Sequence, residues 1–144
     1  MEVIKGARIP PVVATPAMSV AHAVDLMVKE NVGAVVVVDP LNHVLGIFTE
    51  RDNLIRITHK GIDPRTTPLS HVMTAPVETI PAHHSVEEAL ERMIRHHFRH
   101  LPVVDTMGKL IAIVSVRYLL MRRISEKQHS LDVLEAYVTA GGPG

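Results

Sequence analysis

Cysteine is absent from all 144 residues, so disulfides and thiolate chemistry are excluded, and a reducing compartment is allowed. Aromatic residues are scarce, 3% against 47% hydrophobic overall, so Val, Ile, Leu, Met and Ala must fill the core. Neither sign of charge is in excess, with 15 Lys plus Arg against 15 Asp plus Glu. That balance argues against a nucleic-acid binder relying on bulk charge. Long apolar runs are missing too. Stretches such as Ala34–Val38 fall far short of the roughly 20 residues a membrane span requires. The first residues, Met1–Lys5, lack the charged and apolar regions of a signal peptide. The expectation is a soluble cytoplasmic protein with no membrane partner.

What is present is local. Between Glu91 and Lys127 there are eight Lys or Arg and three acids, a patch suited to a small anion rather than a long polyanion. Gly46-Ile47-Phe48-Thr49-Glu50-Arg51-Asp52 joins a short buried strand to the first turn of a helix. A strand that hands its chain to a helix start gathers backbone N–H groups at one spot, which suits a phosphate. Thr49 adds a hydroxyl and Asp52 two acceptor oxygens, enough for the paired hydroxyls of a ribose. The same Thr-x-x-Asp spacing is close to an ordinary helix capping box, worth about 0.5–2 kcal/mol and silent about ligands.

The chain is written twice. Adding 66 to a residue number in the first half lands on its counterpart in the second: Ser19-Val20 on Ser85-Val86, Val37-Val38-Asp39 on Val103-Val104-Asp105, Gly46-Ile47-Phe48-Thr49 on Ala112-Ile113-Val114-Ser115. Each half reads as β-α-β-β-α. The strands fall near Val12–Ala14, Ala34–Asp39 and Val44–Phe48, then near Val77–Ile80, Leu101–Asp105 and the partner after Lys109. The first helices carry apolar residues at i, i+3, i+4, i+7 and i+8: Val20, Ala23, Val24, Met27, Val28, and Val86, Ala89, Leu90, Met93, Ile94. The closing helices are expected near Glu50–Ile57 and Val116–Lys127. The repeats span residues 10–58 and 69–127, with a linker at 59–68 containing Gly61, Pro64 and Pro68. Residues 128–144 read as a further helix near Ser130–Thr139 and a tail. Neither copy can cover both faces of its small sheet alone, so the copies pair.

His71-Val72-Met73-Thr74-Ala75-Pro76-Val77, Arg99-His100-Leu101-Pro102-Val103-Val104-Asp105 and Gly46-x-x-Thr49-x-x-Asp52 resemble a tandem pair of cystathionine β-synthase (CBS) domains, a Bateman module. The resemblance covers about Val12 to Ile124. It implies an α+β fold of two β-α-β-β-α repeats packed sheet to sheet with pseudo-two-fold symmetry, two clefts between them, and a homodimer. It also implies regulation of a partner protein by a bound adenine nucleotide (AMP, ADP or ATP, with NAD and S-adenosylmethionine as alternatives). No catalysis and no required cofactor are implied.

By the same resemblance, Asp52 is the ribose-binding acid. The second copy has Ala112, Ser115 and Tyr118, and a phenol cannot accept from two hydroxyls as a carboxylate does. One competent cleft per chain is expected, built on Ile47, Thr49 and Asp52. The family pattern assigns phosphate contacts in that cleft to Arg99, His100 and Arg117, while Arg51 and Ser115 belong to the weaker cleft. Val13-Ala14-Thr15 and Gly33-Ala34-Val35 are the candidate adenine slot. His96-His97-x-x-His100 has metal-like spacing, but the register puts the first two at a helix end and the third in a strand, so no metal site is assigned. Asp39 and Asp105 precede turns, where capping is the expected role. The competing reading is a scaffold that binds no ligand and acts through dimerisation and protein contacts.

Overall fold

The structure, a computed structural model, describes residues 1–121. The first repeat runs β1 (Val13–Ala14), α1 (Val20–Glu30), β2 (Ala34–Val38), β3 (Val44–Thr49) and α2 (Glu50–Asp52), which continues as a π-helical stretch, Asn53–Thr58. After a one-turn helix α3 (Leu69–Val72), the second repeat runs β4 (Ile80–Pro81), α4 (Val86–His96), β5 (His100–Val104) and β6 (Leu110–Ser115). Residues 116–121 are helical. The expected helix at Ser130–Thr139 lies outside the described residues, as does the end of the second repeat.

The helices start and stop where their sequence dictates. Ser19 accepts from the His22 amide at the head of α1, and Ser85 accepts from the Glu88 amide at the head of α4. Asn31 and His97, 66 apart, end the helices in the left-handed conformation, φ 53° and 60°. The apolar stripe is narrower than expected. Val20, Ala23 and Met27 are buried, as are Val86, Ala89, Leu90 and Met93, yet Val28 is 75% and Ile94 66% exposed. At about 100° per residue, the i+8 position has turned about 80° off the core-facing line, beyond the sheet's edge.

Each repeat builds one three-stranded sheet, ordered β1-β2-β3 and β4-β5-β6. The outer short strand is parallel to the middle one, and the hairpin pair is antiparallel, with Val36 opposite Ile47 and Pro102 opposite Ile113. Both hairpins turn by the same device. Asp39 Oδ1 accepts from the amides of Leu41 and His43, and Asp105 Oδ1 from those of Met107 and Lys109. The positive-φ position falls on Asn42 (68°) and Gly108 (79°). The two hairpin tips meet across the pseudo-axis: His43 bridges Lys109, and Asn42 Nδ2 donates to the Leu110 carbonyl at 2.8 Å.

Three apolar layers result. Ala34, Val36, Val38 and Ile47 of the first repeat meet Leu110 and Ile113 of the second between the sheets. The outer faces carry separate cores: Val20, Met27, Phe48 and Ile57 in the first repeat, Val86, Met93, Leu101 and Leu119 in the second. Each outer core also takes a residue from the other side's lead. Leu69 and Val72 pack into the first repeat, and Val3, in a 3-10 turn over Val3–Gly6, packs into the second.

The expected start of the first repeat near residue 10 leaves out a lead whose Val3 and Arg8 contact the second repeat. The 66-residue correspondence extends back through the leads. Glu2 bridges Ser85 and Pro68 bridges Ser19; Arg8 pairs with Ile113 and Thr74 with Ile47. Each pair is the other shifted by 66. The leads cross over, each adding an edge to the opposite repeat's sheet. Among the described residues, no helix is long and apolar enough to cross a membrane.

Candidate functional site

Two clefts flank the sheet interface. The first, about 660 Å³, is lined by Thr49 and Asp52 from the β3–α2 junction, by Thr74, Pro76, Val77 and Glu78 in and after the crossed lead, and by His96–His100 before and within β5. Thr49 closes a capping box: its hydroxyl accepts from the Asp52 amide at 3.1 Å, and Asp52 Oδ2 accepts from the Thr49 amide at 3.0 Å. The capping reading is thus structurally true. It uses only one of the two carboxylate oxygens, Oδ2. Asp52 Oδ1 faces the lead, accepts from Thr74 Oγ1 at 3.2 Å, and lies 3.7 Å from Arg56 Nε. Arg56 also donates to the carbonyls of Val72 and Met73, so one guanidinium fixes the lead against the acid.

Arg99 and His100 line this cleft with Asp52, so the expected acid and two of its expected cationic partners share one hollow. Arg117 does not. It lines the second cleft, about 830 Å³, together with Ser115, Tyr118, Arg8 and Ala34. The geometry exchanges the two arginines: Arg51, expected in the weaker cleft, lines the Asp52 cleft instead. The reason is local. Each follows its own repeat's Thr or Ser cap, so it stays with that cap rather than reaching across.

The expected adenine slot is also displaced. Val13, Ala14 and Thr15 line neither cleft; Ala14 is buried in the first core, and Val35 is wholly buried beneath it. Gly33 and Ala34 line the Tyr118 cleft. The apolar wall beside Asp52 is made instead by Ile47, Pro76, Val77 and Phe98. Of this wall the sequence pointed to Ile47 but not to Pro76, Val77 and Phe98, nor to Thr74 beside them. Their signal was present in the Met73-Thr74-Ala75-Pro76 string, but using it requires knowing that the lead crosses to pair with β3.

Glu50, Arg99 and His100 line both clefts and form the partition between them. A methyl added at Gly33 would lie 3.3 Å from Glu50 Oε1 and 3.4 Å from His100 Nε2, so these groups converge on that glycine. Burial pushes the His100 pKa below its usual value; Glu50 opposes the shift and Arg99 adds to it. His100 therefore stands neutral at pH 7. In the other histidine run, His97 caps α4 and His96 lies 3.7 Å from Glu78. Among the described residues no three His, Asp or Glu side chains gather as a metal set would.

The second cleft repeats the junction without the acid. Ser115 Oγ accepts from the Tyr118 amide at 3.1 Å, and among the described residues no carboxylate returns to the Ser115 amide as Asp52 does to Thr49.

The family profile of the CBS domain matches residues 4–52 and 69–125, and the chain belongs to that family as a tandem pair. Its resemblances within the family are specific. A 17.7 kDa protein of Acidianus ambivalens is 38% identical over 105 residues, 73% of this chain and 62% of that one. A CBS domain protein from Pyrobaculum aerophilum, PAE2072, complexed with AMP, superposes with TM-score 0.75 at 25% identity, covering 82% of this chain and 89% of that one. The CBS domain pair of MJ0100, in complex with 5'-methylthioadenosine and S-adenosyl-L-methionine, gives TM-score 0.79 over 88% and 98% of the two chains; at 22% identity it speaks for the fold alone. The chain spans about half to three fifths of the length of the first curated relatives it matches.

Proposed function

We propose that this chain is a regulatory module that binds an adenine nucleotide in the Asp52 cleft and uses occupancy, rather than chemistry, to control a partner protein. Asp52 and Thr49 hold the ribose hydroxyls, Arg99 and His100 face the phosphate, and the wall of Ile47, Val77 and Phe98 receives the base. The observation that supports this reading is that Asp52, Arg99 and His100 line a single hollow between the repeats. Three carboxylates (Glu50, Asp52, Glu78) face two guanidiniums there, so each phosphate beyond the first meets growing repulsion, and AMP is the preferred member of the series. A homodimer working in the cytoplasm as a sensor of adenylate levels completes the proposal.

Calorimetric titration with AMP, ADP and ATP tests it. AMP should bind with one strong site per chain, and Asp52→Asn should weaken it at least about tenfold, the value of a lost hydrogen bond to a charged group. Unchanged affinity in that variant would remove Asp52 from the site. A second reading has one observation in its favour: both oxygens of Asp52 already have partners inside the protein, as a purely structural cap would. On that reading the module is a ligand-free scaffold, and millimolar AMP or ATP would leave the melting temperature where it was.

A further inference from the structure

The two clefts carry opposite charge. The Tyr118 cleft is lined by three arginines, Arg8, Arg99 and Arg117, and by one acid, Glu50. They come from three separate segments: the crossed lead, the entry to β5 and the chain beyond β6. Two of these segments are tied by backbone. Arg8 exchanges hydrogen bonds with Ile113 at 2.8 and 3.3 Å, and the Arg99 carbonyl accepts from the Val116 amide at 2.8 Å. The three arginines are therefore mounted on fixed backbone around a common hollow, with their side chains open to solvent. Arg8 Nη2 does lie 3.9 Å from Glu30, an exposed contact too long for a hydrogen bond and weak enough to yield.

The remaining polar groups agree in sense. Where the first cleft presents a carboxylate that grips a diol, this one presents the Tyr118 hydroxyl and the Asn31 amide, which can donate to an anion. A ribose finds no acid here, whereas an anion with several charged oxygens finds donors on three sides. We propose that the Tyr118 cleft binds an oligophosphate group, two or more linked phosphates, recognised by charge rather than through a ribose. The group can be free inorganic oligophosphate or the tail of a nucleoside polyphosphate.

The test is calorimetry of the full chain with sodium tripolyphosphate. One site per chain is expected, weakening as salt is raised. Arg8→Gln and Arg117→Gln should each weaken it by about tenfold or more. Arg8→Lys and Arg117→Lys, which keep the charge, should recover part of the loss. Arg65→Gln makes the same charge change in the linker, outside both clefts, and should leave binding unaltered. All these side chains are exposed, and circular dichroism checks that each variant folds. Displacement of tripolyphosphate by ATP but not AMP identifies a nucleotide tail; no displacement by either identifies the free anion; both outcomes uphold the site. No tripolyphosphate heat at millimolar concentration, binding that survives Arg8→Gln and Arg117→Gln, or an equal loss in Arg65→Gln would overturn it. The test is independent of the Asp52 reading, because Asp52→Asn should weaken AMP binding at least about tenfold while tripolyphosphate binding is unchanged.

Discussion

Gly46 is the point where the crossed lead presses hardest on β3, and Gly46→Ala is the perturbation that measures the contact. A methyl at this position would lie 2.7 Å from Met73 Sδ, 3.0 Å from Met73 Cγ and 2.9 Å from the Thr74 carbonyl oxygen. Methionine can swing away. The Thr74 carbonyl cannot do so cheaply, because it accepts from the Ile47 amide at 3.0 Å while the Thr74 amide donates back at 2.8 Å. Overpacking of this kind costs about 1–3 kcal/mol. For a domain of this size that is a fall of roughly 3–9 °C in melting temperature. Met73→Ala removes two of the three clashes, so Gly46→Ala with Met73→Ala should cost less than the sum of the single changes, with a coupling of about 0.5–3 kcal/mol. The matching positions of the other repeat, 66 residues away, are Ala112 and Ala7, a methyl at each in place of hydrogen and a thioether. Because Thr74 also donates to Asp52, Gly46→Ala should weaken AMP binding as well as stability. Thermal denaturation of the four proteins of the cycle, with AMP titrations, is the assay. A melting temperature unchanged within a degree, or strictly additive losses, would refute the steric account.

Tyr118→Asp rebuilds the missing half of the second capping box and supplies a carboxylate. AMP stoichiometry should rise from one to two per chain while tripolyphosphate binding falls, both read by calorimetry. Asn42→Gly keeps the positive φ but deletes the hydrogen bond across the hairpin tips, and should cost about 0.5–1.5 kcal/mol in urea melts, whereas Asn42→Ala should cost more because alanine resists that backbone. Acidification should lower stability through His100. Its folded pKa lies below the ordinary 6.5, so as pH falls past that value the unfolded chain takes up the proton first, and the loss continues until the folded pKa is passed. His100→Gln should flatten that slope between pH 7.5 and 5.5. A phosphate beside the imidazole favours its charged form, so AMP binding should take up protons, which titration in buffers of different ionisation heat detects.

The fold was legible because it is written in local signals repeated at a fixed interval. Val20 to Met27, the Asp39 and Asp105 turns and the Thr49–Asp52 cap each declare themselves within a few residues, and the second copy checks the first. What was not legible depends on long-range pairing. Nothing near Arg8 or Val3 in the chain says that they join the second repeat, and so the boundary at residue 10 fell inside a shared element. The same gap misplaced Arg117. The resemblance assigned it a phosphate contact beside Asp52, but which hollow it enters depends on which sheet edge the opposite lead occupies. Val13–Thr15 line neither cleft for a related reason: Ala14 is buried in its own repeat's core, and the wall beside Asp52 is supplied from across the axis by Pro76, Val77 and Phe98.

The exchanged leads have a further consequence for how such a protein can be cut or can arise. Severing the chain near Gly61 should not yield two independent folding units, since Leu69 and Val3 would each leave the half they complete, yet the two fragments mixed together retain every surface needed to reassemble. A lone ancestral half would have had to trade its first segment with an identical twin, giving two indistinguishable hollows. Joining the twins end to end removed that constraint, and one hollow could keep its acid while the other acquired a phenol.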